Sequence, residues 1–206
     1  FTLIGSINVV SADQLKDFQK TGKCDGCNFS DVNIVNLNLD EVSIVNSSFN
    51  NTSITNSSTK ILIIKDSTFE NSKLVNITSK KGLISSNNFD SVEIANFNVS
   101  NLEYVENEAI SVEMRVTLVN GSISKSSFEE SEVTGNMKSM KIFNNTFEDV
   151  KFGAKLEKSE WTDNQFEGGV FVRNATRTKF KNSTFEGIKM SNSCLLYTSD
   201  AADEED

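Results

Sequence analysis

Large apolar residues recur at every fifth position along the first half of the chain: Phe29, Ile34, Leu39, Ile44, Phe49, Ile54, then Ile64, Phe69 and Leu74. Two residues before each of them sits something small or apolar, as at Cys27, Val32, Ser47, Thr52 and Ser67. The other three places of each five are mostly Asn, Ser, Asp, Glu or Lys, and residues 27–116 divide into such fives without a gap. A fixed short period marks a stack of like units, and it outranks any window-by-window assignment of helix or strand.

A longer period lies over the first. Phe29, Phe49, Phe69 and Phe89 are 20 residues apart, Ala109 holds the next place, and Phe128, Phe147, Phe166 and Phe185 follow at steps of 19. Four fives make one four-sided coil per Phe. After Val116 one unit in each coil keeps only four residues, namely TLVN at Thr117, NMKS at Asn136, KLEK at Lys155 and NATR at Asn174. The shortening recurs on the same side of every later coil, as stacking requires. The Phe column is expected to stack coil on coil at about 4.8 Å, so eight and a half coils make a rod of roughly 40 Å. Phe152, Trp161, Phe171 and Phe180 fall in the same inward register and belong to the core. Ala109 is the weak point, where a cavity costs about 1 kcal/mol or more unless something larger fills it. The absence of Pro suits a backbone whose N–H groups are all wanted for ladder bonds.

Over about residues 14–192 these fives resemble those of the pentapeptide-repeat family. The resemblance implies an all-β, right-handed, quadrilateral parallel β-helix of about eight coils, first of 20 and then of 19 residues. In such a coil the middle residue and the one two before it point inward. The segment QLKDFQKTGKCDGCNFSDVNI resembles the short helix and Cys-x-x-Cys lead-in that many members carry. A pectin-lyase-type β-helix, with longer coils, is the structural alternative.

Four segments are expected. Residues 1–12, FTLIGSINVVSA, carry no charge, do not begin with Met, and offer small residues at Val10-Ser11-Ala12 where a signal peptidase cuts. They are read as the end of a signal peptide, which makes the protein secreted or periplasmic; the alternative is a first strand or cap. Residues 13–23 form a capping helix, with Ser11 and Gln14 as its capping box and Leu15 and Phe18 on one face. It would shield the open strand edges of the first coil. Residues 24–193 are the β-helix. Residues 194–206 are set apart, because CLLYTSDAADE is the translation expected of a transposase sequencing adapter. The gene is expected to be cut at this point.

That tail changes the charge. The chain has 20 basic and 29 acidic residues, a net of −9, but five of the acids lie in the tail, which leaves 24 against 20 and a net of −4. Cys194 belongs to the same tail and is no partner for Cys24 or Cys27. With no His and no second Cys-x-x-Cys, those two cysteines lack the four ligands of a zinc site. Nor do they sit in the strand-to-helix setting of a redox pair. They fall at inward places and fill core, with a local disulfide formed after export as the alternative.

One outward feature stands apart. The residue after each Phe runs Ser30, Asn50, Glu70, Asp90, Ile110, Glu129, Glu148, Glu167 and Glu186, so the last four coils stack carboxylates in a file. Like charges about 5 Å apart repel and need salt, lysines, a cation or a partner. Lys73, Lys151 and Lys189, four residues beyond their Phe, are expected to screen it in part. The file is either a solubilising stripe or a docking face for a basic partner or Ca²⁺.

No catalytic, metal or cofactor residues are identified. Coils of 19 or 20 residues leave no insertions to wall a cleft, and no His is present for acid–base work. The expected function is a non-catalytic structural or interaction solenoid presenting polar β faces to a protein or surface partner, with no nucleic-acid ligand and no membrane span. Two alternatives remain. The resemblance brings a DNA mimic that binds a type II topoisomerase; the pectin-lyase alternative brings a polysaccharide-binding or -degrading β-helix. A mimic must imitate a phosphate about every 1.7 Å, and a net of −4 over roughly 40 Å falls far short. Asn-x-Ser/Thr triplets such as those at Asn46, Asn76, Asn98 and Asn174 are expected by chance in a chain this rich in Asn and Ser.

Overall fold

The computed structural model describes residues 12–172 and 174–191. Residues 1–11 of the segment expected to end a signal peptide, with Ser11 of the expected capping box, and the adapter-like tail with Cys194 lie outside them. The described chain is one helix, α1 (Ala12–Thr21), followed by short parallel strands wound into a solenoid of about eight coils. One face is a nine-stranded sheet that begins at Asn28–Ser30 and ends at Thr184–Glu186, each strand centred on the Phe column or Ala109. The next three faces join into a fifteen-stranded sheet, because several strands run on through the corners, as Ser53–Lys65 does.

Each five has a physical plan. A corner residue turns the chain, the next residue points inward, and a three-residue strand follows with its middle side chain inward. Turning within one residue requires the left-handed region, and 24 of the described non-glycine residues adopt it, with φ between 47° and 60°. Eleven of them are Asn, the side chain that tolerates this region best. The abundance of Asn is therefore mainly a matter of corners.

The change from 20 to 19 residues is the loss of one such corner. Ala95 pairs with Arg115, but Phe97 pairs with Val116, so Asn96 has no counterpart in the coil below. Asn36, Asn56, Asn76 and Asn96 hold the corner between the second and third faces, and among the described residues no later coil has one there. Asn76 donates to Asn56 at 2.8 Å and Asn96 to Asn76 at 2.9 Å, which binds that edge until the corner disappears. The repeated shortening of the sequence is thus a missing left-handed turn.

Inside, the Phe column stacks as expected. Ring centroids lie 4.7 Å apart for Phe49 and Phe69, 4.6 Å for Phe147 and Phe166, and 4.7 Å for Phe166 and Phe185, with planes within 8°. Phe29 through Phe166 are at most 3% exposed. Phe152, Trp161, Phe171 and Phe180 are buried too, which confirms their inward register. Each buried Phe contributes roughly 1.5–3 kcal/mol of hydrophobic stabilisation.

A polar column runs beside the Phe column. Cys27, Ser47, Ser67, Asn87, Asn107, Ser126, Asn145, Asn164 and Ser183 stand two before each column residue. The backbone N–H of each donates to the side-chain oxygen of the next, from Cys27 to Ser47 at 3.0 Å down to Asn164 to Ser183 at 3.3 Å. A buried N–H without a partner is costly, and these side chains supply the partner.

The helix begins and ends earlier than the expected 13–23. Gly22, at φ 71°, donates its N–H to the Phe18 carbonyl at 2.8 Å and closes α1, and the strand Lys23–Asp25 starts directly after it. Phe18 is fully buried and its ring lies 6.0 Å from that of Phe29. The helix thereby places one more Phe at the head of the column, and Leu15 packs half-buried beside it.

Candidate interaction face

The face backed by the Phe column differs from the other three in charge. Its strands point their first and third residues outward. The first places hold Asn28, Ser48, Thr68, Asn88, Glu108, Ser127, Thr146, Gln165 and Thr184. The third places hold the file expected from the sequence. The two sets contain seven carboxylates and no Lys or Arg. Glu129, Glu148, Glu167 and Glu186 stand in direct register along the sheet, and all four are exposed. Neighbouring rungs are therefore about 4.8 Å apart.

Two of the three lysines expected to screen this file pair elsewhere. Lys73 reaches Glu93 at 2.6 Å and Lys151 reaches Glu132 at 2.7 Å, both on the second face. The reason is geometric: four residues beyond a Phe, the chain has already turned the corner. Glu93 hydrogen-bonds the Lys73 ammonium and holds its pKa above the ordinary lysine value. Lys60–Asp40 and Lys138–Glu157 pair across coils on the third face and Lys181–Glu160 on the fourth. Lys189 stands at the second-face position of the last described coil. Exposed pairs of this kind contribute little stability, but they neutralise the faces that carry them. On the Phe-backed face only one carboxylate of the file has a cross-coil donor, Glu70, which accepts from Asn50 at 2.7 Å.

An open recess of about 660 Å³ flanks this face. Thr68, Asn88 and Glu108 line it from the sheet, and Asp66, Glu106 and Lys125 from the corner. Among the described residues no three carboxylate or cysteine groups converge as a bound cation requires, so the Ca²⁺ alternative finds no built site in the file. No helix among them is long and apolar enough to cross a membrane.

Cys24 and Cys27 lie where the fives place them, 2% and 3% exposed, with Cys24 over Ile44. Their sulfurs are joined, so core filling and the local disulfide hold together rather than compete. The weak point at Ala109 is filled from elsewhere. Tyr104, from the fourth face, lies with its ring 6.4 Å from Phe89 and 5.8 Å from Phe128. The enclosed apolar space that Tyr104 helps to line comes to about 20 Å³. That is roughly the room one water molecule needs. Neither the Tyr104 bridge nor the buried Ser/Asn ladder was expected from the sequence. The ladder did leave a trace there, in Asn87, Asn107, Asn145 and Asn164 at places otherwise small or apolar.

No family model and no curated protein matches the sequence. Among solved structures, a trypsin-treated form of QnrB1, a plasmid-mediated fluoroquinolone resistance protein, aligns at 13% identity and a TM-score of 0.40, covering 80% of this chain and 92% of that one. HetL, a pentapeptide repeat protein involved in heterocyst differentiation regulation from the cyanobacterium Nostoc sp. strain PCC 7120, aligns at 9% identity and a TM-score of 0.33, covering 88% and 94%. At these scores neither likeness bears on function. By its own five-residue repeat, four faces and parallel register, the chain is a four-sided parallel β-solenoid.

Proposed function

We propose that this protein is a non-catalytic interaction solenoid whose Phe-backed face docks a positively charged surface of a partner protein. The observation that carries the reading is charge segregation. Seven outward carboxylates on this face have no Lys or Arg among them, while the other faces carry both signs and pair several of their carboxylates with lysines. A stacked sheet holds such a file rigidly, so a partner meets preset charges and loses little ordering entropy on their account. Repulsion between the carboxylates is relieved when a basic surface covers them.

A nucleic-acid mimic is a poorer reading of the same face. One carboxylate per rung of about 4.8 Å is far sparser than one charge per 1.7 Å or so of duplex axis. The secreted or periplasmic setting rests on the sequence of residues 1–12 and belongs to the proposal.

The test is affinity capture from the native source, with captured proteins identified by mass spectrometry. Glu148→Lys with Glu167→Lys should lose the specific partner that the unaltered protein retains. Exchanging the charges of Glu132 and Lys151 on the second face should keep it. Retention by the first variant, with unchanged salt dependence, would reduce the file to a solubilising stripe.

A further inference from the structure

We propose that the Cys24–Cys27 disulfide is a thiol-responsive latch on α1, released by a small or protein-borne dithiol. Its position in the stack is the starting point. Cys27 heads the polar column, and its N–H donates to Ser47 Oγ at 3.0 Å, but where Ser or Asn stand below it carries sulfur. Cys24 heads the column of Ile44 and follows α1 by three residues. Ser47 Oγ also approaches Cys24 Sγ at 3.7 Å, so both sulfurs lie on the last rung before the helix. The bond ties the strand that leaves the helix to the first strand of the Phe-backed face, across the corner at Gly26.

Both cysteines are almost fully buried and lie in the first coil directly after α1, so the latch requires that α1 move aside before a thiolate reaches them. The helix is only ten residues long, too short to hold in isolation, and Phe18 is its one buried side chain. Its docking thus depends on the stack of Phe18 on Phe29, two residues from Cys27. Opening of such a segment is a local event that leaves the stack below intact.

The chemistry balances with the dithiol alone. One thiolate attacks a protein Sγ, the protein S–S bond breaks, and a mixed disulfide forms. The second thiol of the reagent closes onto its own sulfur, leaving an oxidised reagent and two protein thiols that have gained two electrons and two protons. Two thiols in van der Waals contact need more room than a bonded pair, and on this proposal they take it at the end of the stack that α1 covers. Reduction therefore weakens the seating of Phe18.

The test uses the full chain with Cys194→Ser, so that only this pair is read. Reduction by dithiothreitol is followed by alkylation and intact mass, and seating of α1 by tryptic cleavage after Lys16 and Lys20. Phe18→Ala should be reduced about tenfold or more faster than the unaltered protein, and Phe147→Leu, far from the helix, should not. The reduced protein should be cut in α1 about tenfold or more faster than the oxidised one, with its far-ultraviolet dichroism retained. Cys24→Ser with Cys27→Ser should show the same cleavage, which keeps the test alive if Phe18→Ala does not fold. Equal reduction rates with and without Phe18, or α1 equally protected in both redox forms, would leave a structural cross-link only.

Discussion

The ring of Tyr104 stacks on that of Phe128 at 5.8 Å and 20°, and so carries the aromatic column past Ala109. It does so from another face, since its own column holds Ile64, Ile84, Ile123 and Ile142. Large and small have exchanged places within one coil: Ala109 gives up the volume that Tyr104 occupies. The exchange leaves the Tyr104 hydroxyl buried without a hydrogen-bond partner.

Tyr104→Phe should therefore stabilise the protein. The ring stays and an unsatisfied hydroxyl goes, a gain of about 1 kcal/mol. Tyr104→Ala should instead cost about 3–5 kcal/mol, because Ala109 leaves nothing to refill the space. Denaturant midpoints of the three proteins check the order.

The same hydroxyl sets an alkaline limit. Burial pushes the Tyr104 phenol well above its ordinary value. Above about pH 10 the unfolded chain releases this proton while the folded chain keeps it. The folded state then binds more protons, and stability falls as pH rises. Melting temperatures from pH 8 to 11 should drop more steeply for the unaltered protein than for Tyr104→Phe.

Asn145 distinguishes a hydrogen-bonded ladder from mere filling. Its Oδ1 accepts the Ser126 N–H at 3.0 Å, and its Nδ2 donates to the Ile123 carbonyl at 3.0 Å. Asn145→Leu, of the same branched shape though bulkier, should cost about 2–3 kcal/mol or more, through the orphaned buried groups and the overpacking. Asn145→Ser should cost less, since Ser fills the same rung at Ser67 and Ser126. Chemical denaturation of both variants checks this, and equal losses would point to packing alone.

Gly135 follows the lost corner, at φ 107°, and a Cβ there would run into the Val116 carbonyl oxygen. Gly135→Ala should destabilise by about 3 kcal/mol or more, from strain and from the forced shift of the ladder. Gly153, one coil on, has Thr134 Cγ2 at 3.5 Å as the nearest atom to such a Cβ. Gly153→Ala should be nearly neutral in the same thermal melts.

The stack itself was legible because a period reports which side chains share a column. The Phe column, the coil lengths, the inward place of Trp161 and the buried cysteines all follow from spacing. What spacing does not report is what happens between columns. Tyr104 crosses from one column to another, and the only hint was a large aromatic in an Ile column within the coil that has Ala109. Asn87 and Asn145 looked like exceptions to a small-or-apolar rule, because a period says inward or outward and nothing about hydrogen bonds. Lys73 and Lys151 were misplaced for a similar reason, since a corner separates them from the acidic file. The carboxylate register was legible; its isolation from positive charge needed the faces.

That isolation is best tested by titrating the isotope-labelled protein with an oligolysine peptide and following backbone amide shifts residue by residue. The account predicts shifts concentrated on the strands carrying Glu129, Glu148, Glu167 and Glu186, lost in Glu148→Lys with Glu167→Lys. Shifts spread evenly over all four faces, or unchanged by that pair of substitutions, would contradict it.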